Sequence, residues 1–326
     1  MASIRSRATS VVAAFAVVCG ATNPTGATQA PRAPLPVEPI GRSGAAIFPA
    51  FEGWGPLHDG TVVLLLGYYN RNSTPVDIPV GSNNSIEPGG PDLGQPTHFE
   101  PRRQHGLFAI VVPKDLGTKK LTWTLRANGQ TAAVSFWLNP LYKLDFFKHA
   151  ANGNEPPVVR VSRSGAPHSG PPQGFAESLS GAVGRPVPLT LWVSDVPTIR
   201  PDASDEIAAI RSRTTLADPV AIVGDQTIGG APAPVPTAPR EARGSRPDVL
   251  VTWKKHRGPG NVSFSRNAIS LLTKGDPKLV VEAATTALFD APGDYVLRAQ
   301  VNDDSGEDGG GDQCCWTTAL VKVTIR

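Results

Sequence analysis

The sequence predicts an all-β protein built as two β-sandwich domains with long Pro/Gly-rich loops. Three observations carry that prediction. Gly and Pro number 33 each in 326 residues, a level that suits short strands joined by turns and disfavours long helices. Apolar and polar residues alternate with a period of two in successive runs, as half-buried strands require. The length is that of two domains rather than one. The clearest alternation closes the chain. A Pro292-Gly293 turn opens Tyr295, Leu297, Ala299 and Val301, an acidic Gly-rich loop follows, and a second run ends on Val321, Val323 and Ile325.

From the start, residues 1–30 read as a signal peptide. Arg5 and Arg7 precede an apolar stretch, Val11 to Val18, that is too short to span a bilayer, and small residues supply cleavage sites between Ala21 and Ala30. The chain is therefore expected to be exported, to a periplasmic, cell-surface or extracellular location. Lipidation at Cys19 is the less favoured alternative, because Val18 stands where a small residue is wanted. No later segment is apolar enough for a transmembrane helix. Residues 31–47 lack periodicity and read as a flexible lead segment.

The first sandwich is placed at 48–147. Its expected strands are Thr61 to Asn70, the short Pro-bounded Pro75 to Val80, Leu107 to Val112, and a hairpin of Lys120 to Arg126 with Thr131 to Leu138. Asn128-Gly129 between those last two runs is a strong hairpin signal, since both residues tolerate positive φ. Residues 81–101 hold four Gly and four Pro and read as one long loop. A linker at 148–157 ends in Pro156-Pro157. The second sandwich is placed at 158–326, with strands near Val158, Val187, Val249, Val262, Lys278, Asp294 and Thr317. Mobile inserts are expected near 162–182 and 228–248, and one short helix at Asp205 to Arg213.

Charge and cysteine content exclude several functions. Without residues 1–30 the chain carries 29 basic and 28 acidic residues, which implies no nucleic-acid binding and no polybasic membrane docking. Beyond Cys19 the cysteines are Cys314 and Cys315. Neighbours cannot join distant strands to each other. They are expected to form a packed thiol pair, a strained vicinal disulfide or a bond to a partner chain.

Four constellations offer chemistry. Asp303, Asp304, Asp308 and Asp312 crowd one Gly-rich loop. Either this is a solvated acidic turn that discourages edge pairing, the reading we favour, or it holds calcium; no cofactor is otherwise expected. Trp54, Tyr68 and Tyr69 could form a stacking face for sugar or peptide, although period two sends the two tyrosines to opposite faces. His98, with Glu87, Asp92 and Glu100 nearby in sequence, could form an acid–base site in the 81–105 loop; His58 and His105 lie in the same domain, with no HxH or HExxH pattern. Arg257, in an Arg-Gly-Pro-Gly turn, could hold an anion or pair with a loop carboxylate of its own domain. No nucleophile elbow and no phosphate loop occurs.

The final hairpin and the strand count of the second half resemble immunoglobulin-like and PKD-type modules of bacterial surface proteins. The strings Phe51-Glu-Gly-Trp54, Gly67-Tyr-Tyr-Asn-Arg-Asn72, Arg257-Gly-Pro-Gly260 and Gln313-Cys-Cys-Trp316 resemble a family of uncharacterised exported bacterial proteins. That resemblance implies export and brings no activity with it. The expected function is therefore a non-enzymatic surface or periplasmic module that binds protein or glycan, or spaces other parts. The alternative is a carbohydrate-active or hydrolytic accessory protein using the 81–105 loop.

Overall fold

Continuous apolar runs become central strands because both of their faces must be covered. The computed structural model describes residues 43–112, 116–149, 153–195, 248–274, 276–303 and 316–326. The signal peptide, most of the lead segment, the short helix, the 228–248 insert up to residue 247, and Asp304, Asp308, Asp312, Cys314 and Cys315 lie outside the described residues. No α-helix occurs among the described residues.

The first sandwich is formed by β1 (Ile47–Pro56), β2 (Val62–Asn70), β3 (Val76–Asp77), β4 (Asn84–Glu87), β5 (His98–Phe99), β6 (Arg102–Val112), β7 (Leu121–Ala127) and β8 (Gln130–Phe136). One sheet has the order β1-β2-β6, the facing one β4-β7-β8, and β3 pairs with β5. The Val62-Val-Leu-Leu-Leu66 run of β2 is buried on both sides. Leu64, Leu66 and Tyr68 join Phe99, Phe108, Trp123 and Phe136 in the main core, while Val63 and Leu65 meet Leu57 and Phe146 behind the sheet. The β7–β8 turn has Asn128 at φ 53° and Gly129 at φ 74°, the paired left-handed conformation of a tight hairpin.

Strands β1, β4 and β5 have no clear sequence signal. The last two lie inside the supposed 81–101 loop, which two buried amides hold in place. Asn84 Nδ2 donates to the carbonyls of Ile78 (3.0 Å) and Pro96 (2.8 Å), and Asn84 Oδ1 accepts from Trp123 Nε1 at 3.0 Å. Gln95 Nε2 donates to Pro91 O at 2.6 Å. Saturated amides of this kind replace the ladder bonds a Pro-rich segment cannot make.

The second sandwich contains β9 (Val158–Arg160), β10 (Phe175–Gly181), β11 (Val187–Ser194), β12 (Val249–Arg257), β13 (Val262–Phe264), β14 (Ala268–Leu271), β15 (Val281–Phe289), β16 (Gly293–Asp303) and β17 (Trp316–Ile325). Its sheets have the orders β13-β15-β11-β9 and β10-β17-β16-β12-β14. Trp253 of β12 is 1% exposed in the core between them. Tyr295 begins β16, and its hydroxyl donates to Ala291 O at 2.8 Å and accepts from the Gly260 amide at 3.1 Å. This strand order, a core Trp on β12 and a tyrosine corner define an immunoglobulin-like sandwich. Antibody-type domains carry a disulfide cysteine two residues after that tyrosine. Here the position is Leu297, fully buried, so apolar packing joins the sheets.

The structure differs from the sequence expectation at 162–182. Residues 175–181 form β10, which runs parallel to the final strand from Phe175↔Leu320 to Gly181↔Ile325. Its side chains are mostly exposed, so little local hydrophobic pattern announces it. β17, far away in sequence, supplies the hydrogen-bonding edge.

Candidate functional site at the seam between the sandwiches

The alternation that buries Leu297, Ala299 and Val301 turns Arg298, Gln300 and Asn302 to the opposite face of β16. The register sets Lys254, Thr252 and Leu250 of β12 beside them on one side, and Leu320, Thr318 and Trp316 of β17 on the other. A polar outer face of this kind normally meets water. Here the first half of β6 covers it, leaving Arg298 2% exposed and Thr318 fully buried. Thr318 Oγ1 donates to Gly106 O at 3.1 Å. Gln104 Oε1 accepts from both Lys254 Nζ (2.9 Å) and Arg298 Nη2 (3.0 Å).

The end of β12 grips the ordered 81–101 segment. Arg257 holds Asp92 in a two-pronged pair at 2.7 and 3.0 Å, and its Nε donates to Gln95 O at 2.6 Å. His256 Nε2 lies 3.0 Å from Gly94 O, while the Thr97 amide donates to His256 O at 3.1 Å. Lys255 Nζ is 3.3 Å from Asp77 Oδ1. A register shift between Lys255 and Arg257 lets consecutive side chains of one strand all reach the seam.

These contacts set the charge states. Arg257 holds the Asp92 carboxyl below the usual range against partial burial, with help from the Gly94 amide. Burial pushes His256 down to about 3, the Gly94 carbonyl opposing, so the ring is neutral at pH 7. Burial also brings Arg298 down to about 10, which leaves it charged. His98 lies 2.7 Å from Asp77 Oδ1 through Nδ1 and 3.4 Å from Glu100 Oε1 through Nε2. Burial opposes its protonation, but hydrogen bonds to the two carboxylates prevail and raise its pKa. Asp77 and Glu100 are both lowered: burial works against the shift in each, and the bond to His98 overcomes it.

The other residues singled out in the sequence are dispersed. Tyr68 is 1% exposed and packs on Phe99 at 4.9 Å, so it is a core residue and cannot offer a stacking face. Tyr69, 38% exposed, points the other way. Trp54 is half-buried and donates from Nε1 to Asn139 O at 2.6 Å. Arg257 pairs with a carboxylate of the first sandwich, not of its own. Glu87 is exposed on β4, Asp92 belongs to Arg257, and His98 is held by Asp77 and Glu100. His58 stacks on Phe147 at 3.7 Å. Asp303 is buried and accepts from Asn154 Nδ2. No cluster of three or more His, Cys, Asp or Glu suited to a metal occurs among the described residues.

Sequence reasoning missed Gln104, Lys254, Arg298 and Asn302. The available signal was the Lys254-Lys-His-Arg257 run at a strand end, together with a polar face on the same sheet. Within the seam Gln104, Lys254 and Asn302 border a cavity of about 70 Å³, lined also by Arg103, His105 and Gln300, among others.

Fold and seam thus define an all-β protein whose second half is an immunoglobulin-like sandwich. No protein-family model and no curated protein matches the chain. Among solved structures, it is similar to the D00-D0 domain of intimin, at 12% identity over 86% of this chain and 100% of that one, with a TM-score of 0.24. Domains 4 and 5 of the S-layer protein SbsC align at 9% identity over 79% of this chain and 89% of that one, TM-score 0.21. The titin Ig tandem A164-A165 aligns at 8% identity over 86% and 99%, TM-score 0.20. The fold assignment rests on strand order and register.

Proposed function

We propose that this chain is a non-enzymatic exported module that binds a protein or glycan at the cell surface or in the periplasm, its two sandwiches held as one body by the seam. The observation that carries the binding role is an exposed aromatic pair. Phe48 on β1 lies opposite Tyr69 on β2, and the two are 41% and 38% exposed. Arg103 of β6 is the next residue in that row. Neighbouring exposed rings on rigid strands offer stacking area, as sugar and peptide recognition requires, and Arg103, held by Glu52 and by the Tyr68 and Gln104 carbonyls, braces the row. The near-neutral charge and the leader-like residues 1–30 support the setting.

The alternative, a hydrolytic or carbohydrate-active accessory protein, would need the 81–105 carboxylates and His98 to converge on one substrate atom. Their commitments to Arg257, Asp77 and Glu100 argue against it. Titrating labelled chain onto envelope preparations of the host tests the proposal. Saturable binding should weaken at least tenfold in Phe48→Ser/Tyr69→Ser, with unchanged circular dichroism. Equal binding by that variant, or turnover of a glycoside or ester substrate, would overturn the reading.

A further inference from the structure

We propose that the cleft between the two sheets of the second sandwich, at its β10 edge, captures the free amino terminus of a peptide whose first residue is apolar. The cleft has an inner lobe of about 220 Å³ and an outer lobe of about 330 Å³. Val161, Ser162 and Glu177 border both lobes, which makes them continuous. Together they reach the size of sites that enclose small ligands.

Glu177 stands at the junction because of its register. It lies opposite Val321, as Leu179 lies opposite Val323, and both valines belong to the core. Paired residues of neighbouring strands share a face, so the Glu177 side chain is on the core side of its sheet. It is half-buried, and its carboxylate has no hydrogen bond or ion pair among the described residues. No lysine or arginine lines either lobe. His168 does line the outer lobe, but burial lowers its pKa, with the Thr318 carbonyl opposing, so its ring is neutral at pH 7.

The inner lobe holds a second unmet group. Trp253 lines it and is buried, yet its Nε1 donates to nothing among the described residues. Buried N–H groups rarely go without an acceptor. Leu179, Leu189 and Val321 make the same lobe apolar elsewhere. A ligand that answers all three features presents a cation, a hydrogen-bond acceptor and an apolar body close together. The first residue of a peptide does so. Its α-ammonium meets Glu177, its carbonyl accepts from Trp253 Nε1, and its side chain lies against the leucines. A neutral carbonyl suits the indole better than a carboxylate, because a second negative charge in the cleft would have no cation to meet. The following residues enter the outer lobe. There β10 is the end strand of its sheet, and an open edge can hydrogen-bond an added chain. An inward acid also guards an edge against pairing, but that role leaves the Trp253 indole unanswered. A second copy docked edge to edge would set two Glu177 carboxylates on one face, which selects against self-association here.

The experiment is calorimetric titration of the full chain with Leu-Ala-Ala amide at about pH 6.5, where an α-amino group is protonated. Saturable binding is expected, together with a downfield shift of one buried indole N–H resonance. N-acetyl-Leu-Ala-Ala amide lacks the cation and isoamylamine lacks the carbonyl. Each should bind about tenfold more weakly or worse, the loss of one charge-assisted or buried hydrogen bond. Glu177→Gln should lose as much with unchanged circular dichroism, while Glu87→Gln, which removes an exposed acid of the first sandwich, should bind as the wild type does. The two altered ligands repeat the test on unaltered protein. The inference is overturned if Leu-Ala-Ala amide gives no saturable binding, if the acetylated peptide or isoamylamine binds as tightly, or if Glu177→Gln keeps the wild-type affinity. None of these results bears on Phe48 and Tyr69, so binding through that pair stands or falls separately.

Discussion

His98 and His256 differ because one is given carboxylates and the other only a carbonyl. His98 is bonded to Asp77 and Glu100 and its pKa is raised. Its contribution to stability is therefore complete below the unfolded histidine value, about 6.5, and is lost as pH rises through the raised folded value. Asp77 and Glu100 are lowered, so theirs is present above about pH 4 and fades on acidification. The cluster stabilises most between about pH 5 and 6.5. His256, pushed down to about 3 by burial, works the other way: the unfolded chain binds its proton first, and stability drops as pH falls below about 6.5. Urea midpoints followed from pH 5 to 8 should show His98→Gln losing the decline above pH 6.5 while keeping the decline on the acid side. A variant whose profile merely shifts downward in parallel would contradict this assignment.

Among the elements, β6 has two duties. Its C-terminal half, with Phe108, Ile110 and Val112, builds the first core. Its N-terminal half lies on the second sandwich. The crossover is Gly106, at φ 55°, where a Cβ would come within 2.3 Å of Trp316 Nε1. Gly106→Ala should cost about 2–4 kcal/mol, combining a left-handed backbone penalty with displacement of a buried indole. Chemical denaturation measures it, and a red shift of tryptophan emission should accompany the loss. A cost below about 0.5 kcal/mol, the level of an ordinary surface change, would mean that β6 does not rest on β17 as described.

Locally patterned elements were legible in the sequence. The hairpin β7–β8 was, because Asn128-Gly129 dictates its own turn, and so were β16 and β17, because one face of each is apolar at period two. β10 and β14 escaped notice, since each is a short edge strand whose partner is distant in the chain. The candidate site was less visible still. Tyr69 and Arg257 could be picked out, but Arg257's partner could not, and nothing local distinguishes Arg298 on a buried seam from an arginine in water.

Across the whole molecule, the Arg257–Asp92 pair tests how firmly the halves are joined. Its guanidinium is 22% exposed and its carboxylate 51%, so solvent screening holds the expected coupling to about 0.5–1.5 kcal/mol despite the two-pronged geometry. A double-mutant cycle of Arg257→Ala and Asp92→Ala in urea should return that coupling. The wild type should unfold in one transition by circular dichroism and fluorescence alike, and the double variant in a broader one. Coupling indistinguishable from zero would show the clamp to be incidental to the seam.

The amino-acid order alone determined that the chain is all-β, where most long strands run and which of their faces are apolar, because alternation is a property of neighbouring residues. Only the tertiary structure decided that a polar sheet face would be covered rather than wetted. That outcome depends on where β6 and the 81–101 segment land, and the long-range hydrogen bonds that place them join residues up to 212 positions apart, beyond the reach of any local pattern.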